Sequence, residues 1–292
     1  MSDDYNKRVE SLTFWQHPIR SLPLEGGITN RNFRVEHGNE VFFVRLGEDI
    51  PEHGIFRFNE LAASRAAFAC GISPEVVHAQ TGCLILQFIE GKTLEAEDLR
   101  NFTTMEKVVT LLNSCHREMP LHLPGSAMGF WVFQVVRGYA NTLRTNKSRM
   151  IPELQRYLKI NSELEKSVGK IELCFGHNDL LATNFIDDGQ RLWLIDWDYA
   201  GFNSPLFDLS NLASNNEYPE ILERKLLEIY FKKVVSANLW KSYFSMKCAS
   251  LLRESMWSMV SEIHSTLDFD YVQYTSEYLE RFENTFAQYE KL

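Results

Sequence analysis

The sequence predicts an α+β chain, with antiparallel β-structure near the N-terminus and helices through most of the remainder. Three observations predict it. Residues 21–46, SLPLEGGITNRNFRVEHGNEVFFVRL, carry two runs of β character on either side of His37-Gly38-Asn39, a hairpin turn signal. From residue 91 to about 171 the apolar residues recur with helical spacing, as in 104–119 and 153–168, with breaks at Pro120, Pro124 and Gly125. The last stretch, 219–292, is again helical in pattern and rich in Trp, Tyr and Phe. With 292 residues, 45% of them hydrophobic, the chain can bury one large core or two smaller ones.

Each element has a local reason. Ahead of the hairpin stands Glu25-Gly26-Gly27-Ile28-Thr29-Asn30. Paired glycines let a backbone approach phosphate oxygens closely, and Thr29 and Asn30 add side-chain donors. On the strand EVFFVRL the two-residue period puts Val41, Phe43 and Arg45 on one face, where a cation needs a partner. Residues 56–70, FRFNELAASRAAFAC, read as a helix with a buried stripe of Phe58, Leu61, Ala62, Phe68 and Ala69 and a stop at Gly71. Glu60 lies on it and is the natural partner of Arg45. Residues 82–91, GCLILQFIEG, form an apolar strand. His116 reads as a packed structural histidine and His122 as a loop residue.

Residues 175–201, FGHNDLLATNFIDDGQRLWLIDWDYAG, carry the chemistry. Asp179 and Asn184 lie five apart, and Asp196 ends an apolar run with the look of a buried strand. Phosphoryl transfer from a nucleotide needs alignment and charge neutralisation more than covalent help. One carboxylate accepts the proton of an attacking hydroxyl. An amide oxygen and a second carboxylate suffice for Mg²⁺, which keeps several waters. Asp179 fits the first role, Asn184 and Asp196 the second, and His177 orients the loop through a hydrogen bond. Asp208, in FNSPLFDLSNLASNNEYPE, either caps the following helix or braces this loop.

Composition narrows the partners. The formal charge is −9, whereas a nucleic-acid binder is more often basic, and an acidic chain suits a cationic small molecule. Cys70, Cys83, Cys115, Cys174 and Cys248 include no CxxC pair, which fits reduced, mostly buried thiols and a cytoplasmic setting. The polar N-terminus MSDDYNKRVE is no signal peptide, and no apolar run approaches the ~18–20 residues that span a bilayer, so no membrane insertion is expected.

GGITNRNFRV, FVRL, HNDLLATN, LIDWDYAG and FDLSNLASNNE occur in an order that resembles the choline/ethanolamine kinase family, in the aminoglycoside-phosphotransferase-like branch of the protein-kinase-like fold. HxD plus ID marks the superfamily, and GGITN narrows the match. The resemblance implies a bilobal fold, with a nucleotide-binding lobe over 1–89 and a catalytic and substrate-binding lobe over 90–292. It implies ATP and Mg²⁺ as cofactors and a small amino alcohol as acceptor, choline first and ethanolamine next. Asp179 becomes the base, and Arg45, in the place of the usual Lys, pairs with Glu60 and contacts phosphates. Segment 82–91 becomes an edge strand and hinge, where adenine bonds backbone groups near Gln87, Phe88 and Ile89. Gly26, Gly27, Thr29 and Asn30 cover the phosphates. Other cationic alcohols, such as aminoglycosides or thiamine, and a silent nucleotide-binding relative are the rival readings.

The family's substrate cage is aromatic and acidic, because a quaternary ammonium offers no N–H. Trp257, in LLRESMWSMVSE, falls at a cage tryptophan, while Glu254 stands one turn earlier in place of a second one. After FDLSN the family carries a substrate-facing acid. This chain has Asn215 and Asn216 there, which leaves Glu217, Tyr218 and Asp198 as substrate-facing candidates.

Overall fold

A computed structural model describes residues 2–24 and 30–292. Gly26, Gly27 and Thr29 lie outside the described residues. Helix α1 (Ser2–Glu10) leads into a five-stranded antiparallel sheet made of β1 (Arg20–Leu24), β2 (Arg31–His37), β3 (Glu40–Leu46), β4 (Val76–Gln80) and β5 (Cys83–Gln87). Helix α2 (Arg57–Ala69) joins β3 to β4. The hairpin forms where the turn signal places it, with His37 opposite Glu40 and Gly38 at φ +63°. Phe33, Val35, Phe42 and Val44 bury one face of the sheet against Val9, Leu12 and Ile85. This leaves Val41, Phe43 and Arg45 on the other face.

Two local expectations need correction. The spatial order is β1-β2-β3-β5-β4, so β5 is an interior strand and β4 is the edge. An apolar run bonded on both sides and a true edge look alike in sequence. In α2 the buried residues are Asn59, Glu60, Ala63, Ser64, Ala66 and Ala67, whereas Phe58 and Phe68 are exposed. The helix lies close against the larger lobe, so small residues face inward, and Asn59 donates to the Ala200 carbonyl at 2.8 Å.

The chain crosses at residues 88–91 into β6 (Lys92–Thr93). The larger lobe follows with α3 (Ala96–Leu99), α4 (Phe102–Arg117), α5 (Val132–Thr145) and α6 (Leu154–Val168). Next come β7 (Cys174–Gly176), β8 (Phe185–Asp187), β9 (Leu192–Leu194) and β10 (Gly201–Asn203). The chain ends in α7 (Pro205–Asn215), α8 (Glu220–Phe231), α9 (Ala237–His264) and α10 (Tyr271–Tyr289). β6, β8 and β9 form one small sheet, and β7 pairs with β10. Helix α9 is buried on most sides and packs against α5, α6, α7 and α10. By packing, Ala63, Ala66 and Ala67 of α2 belong to the larger core, although α2 precedes the crossing. No helix among the described residues is long and apolar enough to cross a membrane. All five cysteines are unbridged, four of them buried.

The crossing is tight. A Cβ on Gly91 would meet the Asp187 carbonyl oxygen and Ile186 Cγ2, each at 2.7 Å. Backbone cannot yield as a side chain can, so Gly91→Ala should cost about 1–3 kcal/mol, read as a lower urea midpoint. An unchanged midpoint would show that β6 has slack against β8.

Candidate active site

The turn after β7 and the stretch from β8 to β10 form one shelf, and α7 holds it. Ser204 caps α7 by accepting from Leu206 N–H at 3.2 Å, and Pro205 starts it, which puts Asp208 inside the first turn. Asp208 is buried and accepts three hydrogen bonds: His177 N–H and Asn178 N–H, each at 2.8 Å, and His116 Nε2 at 2.9 Å. Burial alone would raise its pKa, but the bond and charge of His116 and the His177 N–H hold it below the ordinary carboxylate value. Further along α7, Asn211 accepts Leu180 N–H at 2.6 Å. Asn216, just past the helix end, accepts Ala182 N–H at 3.0 Å and donates to the Leu180 carbonyl at 3.0 Å. Asp208 therefore braces the loop, and His116, bonded also to Tyr230 at 2.7 Å, is structural.

Within the loop, Asn178 adopts φ +66° and donates to the carbonyls of Gly176, Tyr199 and Gly201. His177 is buried, and burial depresses its pKa, so the ring is neutral. Its Nε2 donates to the Ile195 carbonyl at 2.9 Å, which leaves Nδ1 to accept Asp179 N–H at 3.3 Å. Asn184 spends its Nδ2 on the Asp179 carbonyl at 2.8 Å, and its own carbonyl accepts Ile195 N–H at 3.0 Å. Its amide nitrogen is therefore spent within the loop. Asp196 adopts φ +69°, a conformation Asp tolerates better than most residues.

Asp196 meets a buried ion cluster. Arg45 Nη1 lies 2.7 Å from Glu60 Oε1, 2.9 Å from Asp196 Oδ1 and 3.1 Å from Asp198 Oδ1. Arg57 Nη1 lies 2.6 Å from Glu60 Oε2 and 2.8 Å from Asp198 Oδ1. Burial raises the Asp196 pKa, but Arg45 outweighs it, and the net shift is downward. Two guanidiniums among three carboxylates leave a net negative charge. A nitrogen with two hydrogens cannot saturate three carboxylates, so acceptor capacity remains for a cation. Arg45 Nε and Arg57 Nη2 are buried without a hydrogen-bond partner among the described residues, as donors kept for phosphate oxygens would be.

Asp179 points elsewhere. Burial, with Glu254 and Asp196 nearby, raises its pKa to about 8 against the pull of Arg253. Arg253 Nη1 stands 4.0 Å from Asp179 Oδ1 and donates to Glu254 Oε2 at 2.6 Å. Tyr274 donates its hydroxyl to Glu254 Oε1 at 3.0 Å. Trp257 is buried, with its ring centroid 5.3 Å from His53, 6.0 Å from Tyr271 and 6.1 Å from Tyr274.

The structure brings Asp179, His177, Asn184 and Asp196 together, joins Arg45 to Glu60, and sets Glu254 near Asp179, while Trp257 packs against His53, Tyr271 and Tyr274. Three acceptor candidates go elsewhere. Asp198 is a member of the ion cluster, with Oδ1 on Arg45 and Arg57 and Oδ2 on Asn30 at 2.9 Å. Tyr218 is buried and gives its hydroxyl to the Leu99 carbonyl at 2.5 Å, while Glu217 is exposed and lies 3.7 Å from Arg100. The turn after α7 is pulled onto the end of α3, because Arg100 Nε donates to the Asn216 carbonyl at 3.0 Å. At the crossing, Gln87 N–H donates to the Glu75 carbonyl and Phe88 N–H to the Val41 carbonyl. Those two N–H groups are used inside the lobe. Sequence reasoning missed Arg57, three residues before Glu60, and Arg253, a cation inside the apolar run LLRESMW whose surroundings were the available signal.

A small sheet-rich lobe, a helical lobe and an acid–amide–acid shelf between them define a phosphotransferase of the protein-kinase-like fold. A family model described as choline/ethanolamine kinase matches residues 22–234. The chain belongs to the choline/ethanolamine kinase family. It is 26% identical over 289 residues to the protein LicA of Haemophilus influenzae, covering 95% of this chain and 82% of the relative. It is 27% identical over 291 residues to a probable ethanolamine kinase of Arabidopsis thaliana, covering 86% and 75%. Its fold matches the choline kinase LicA from Streptococcus pneumoniae with a TM-score of 0.76, at 22% identity over 97% of this chain and 99% of that one.

Asp208 titrates below the ordinary carboxylate value when folded, so its contribution to stability is present above about pH 4 and is lost as pH falls through the folded value. Asp208→Asn should lower the unfolding free energy at pH 7 by about 3 kcal/mol, since an amide cannot accept all three donors. The same variant should flatten the acid limb of a stability–pH curve. A wild-type acid limb in the variant would remove Asp208 from the brace.

Proposed function

We propose that the chain transfers the γ-phosphoryl group of ATP to the hydroxyl of a small amino alcohol of the choline or ethanolamine type, with Mg²⁺. One observation carries this reading. The bond from Asn184 Nδ2 to the Asp179 carbonyl fixes an acid and an amide oxygen on the ledge that faces Asp196. Asp179 is the base, because its carboxylate lies off the ion cluster and near α9. Asn184 and Asp196 would hold Mg²⁺. They offer hard oxygen donors, and the Asn184 amide nitrogen is already spent. Mg²⁺, when bound, supplies neutralisation of phosphate charge.

The protein's own groups do the rest. Arg45 and Arg57 each hold a buried N–H group that no described residue accepts, and Glu60 keeps Arg45 on the β3 side. The acceptor hydroxyl gives its proton to Asp179 in its ionised form, which is the larger fraction only above about pH 8. Its oxygen forms a bond to the γ-phosphorus, and the bond from that phosphorus to the β–γ bridging oxygen breaks, with the electron pair leaving on ADP. At the hinge, adenine would bond to carbonyls or to Ile89 N–H, since the N–H groups of Gln87 and Phe88 are taken. The names of the relatives support the acceptor class.

Asp179→Asn should keep ATP affinity and lose about 10²–10⁴-fold in kcat with the best acceptor, because the proton acceptor disappears while the phosphate and metal groups stay. ADP release and product mass, measured with choline and ethanolamine at saturating Mg²⁺ and ATP, check this. Turnover of the variant near the wild-type rate would remove Asp179 from the base role.

A further inference from the structure

Arg253 is a buried cation beside the proposed base, and the transfer chemistry makes no use of it. It sits mid-way along α9 with 1% of its surface exposed. Its guanidinium carbon lies 4.3 Å from the ring centroid of Tyr199 and 5.5 Å from that of Phe130. Nη1 donates to Glu254 at 2.6 Å, and the Tyr139 hydroxyl also meets the guanidinium. Among the described residues Nε and Nη2 have no hydrogen-bond partner although buried, and the same holds for the Tyr199 hydroxyl and Trp257 Nε1. Tyr139 is close by, but its hydroxyl is paired with His53 Nδ1 at 3.3 Å.

Arg253 Nε, Arg253 Nη2 and Trp257 Nε1 can only donate, and the Tyr199 hydroxyl can donate or accept. A buried donor left unpaired costs about 1–3 kcal/mol, and more when charged, so a cluster of them beside a reaction centre points to a ligand that accepts. Choline and ethanolamine offer little. Their hydroxyl is engaged at Asp179, and their cationic ends accept nothing. Glu254 has one oxygen on Arg253 and the other on Tyr274, so its charge is already shared with Arg253. Bare choline would set a second cation near Arg253 and leave Nε and Nη2 unpaired. Nε and Nη2 lie on one edge of the guanidinium, the edge that receives a carboxylate with two parallel bonds.

We infer that the acceptor of this chain is a zwitterion. It carries a carboxylate that docks on the Nε–Nη2 edge of Arg253, a hydroxyl at Asp179, and an ammonium against the aromatic faces of Trp257 and Tyr274. This rests on the amino-alcohol kinase reading and names the acceptor class within it. The transfer is balanced as before: ATP and the hydroxy-zwitterion give ADP, the phosphate ester and one proton, which leaves by way of Asp179.

Two matched pairs test it, each differing by one carboxylate: ethanolamine against L-serine, and choline against L-carnitine. ADP release and product mass are followed with the full chain at saturating Mg²⁺ and ATP. In the wild type the carboxylated member of at least one pair should have a kcat/KM about tenfold or more above its partner. R253M should reverse that order while ATP still binds. R253K should keep the order with a smaller ratio, and it serves where R253M does not fold. If choline or ethanolamine outperforms its carboxylated partner in the wild type, or R253M leaves the ratio unchanged, the zwitterion inference falls and the kinase reading stands. If none of the four compounds stimulates ADP release although ATP binds, both fall.

Discussion

The arrangement of the whole shelf depends on the Asp208 carboxylate. The turn that carries His177, Asn178 and Asp179 has few backbone bonds of its own, and Asn178 sits in a left-handed conformation within it. Left alone, the N–H groups of His177 and Asn178 would be buried and unpaired. A charged acceptor answers both at once, and charge-assisted bonds to backbone N–H are the stronger kind. Its place in the first turn of α7 adds the favourable end of the helix dipole. Asn211 and Asn216 extend the same service to Leu180 and Ala182, so one helix holds the turn from its first residue to the approach of Asn184.

The second constraint is electrical and joins the lobes. Arg45 comes from β3 and Arg57 from α2, whereas Asp196 and Asp198 follow β9 of the larger lobe. The two residues lie two apart, and both carboxylates reach Arg45 Nη1. Asp198 takes two guanidiniums and the Asn30 amide, which makes it the fixed member. Asp196 is the more open of the pair, with 28% of its side chain exposed, and keeps an oxygen for other work. An Arg in the usual Lys position suits this cluster, since a planar fork can reach several carboxylates where a point charge reaches fewer.

How much of this was legible follows from how local each feature is. The hairpin, the acid–amide–acid order and the Arg45–Glu60 pair rest on spacing within a strand, a turn or neighbouring elements, and spacing is what a sequence records. The inward face of α2 was misread because the helix meets another lobe. There, small residues permit close approach, and Phe58 and Phe68 fall outside. The fates of Asp198, Glu217 and Tyr218 depended on partners far along the chain, in α2, α3 and β3, which no periodicity reveals. Arg253 was visible as a charge in an apolar helix. Its significance lay in what surrounds it in space, namely Tyr199, Phe130 and Asp179.

Arg253 and Glu254 also show why the pair calls for more than a packing role. Arg253 is buried and Glu254 largely so, and dehydrating such charges costs several kcal/mol, whereas an apolar pair of similar volume is commonly as stable or more so. Packing of α9 would be served by leucine and tryptophan, which its other core positions already use. A pair that shares one strong bond and still leaves Nε and Nη2 empty is poorly satisfied by the protein itself. Such a group is stabilised only when something else completes it. Beside a base on the acceptor side of the shelf, that something is the molecule being phosphorylated.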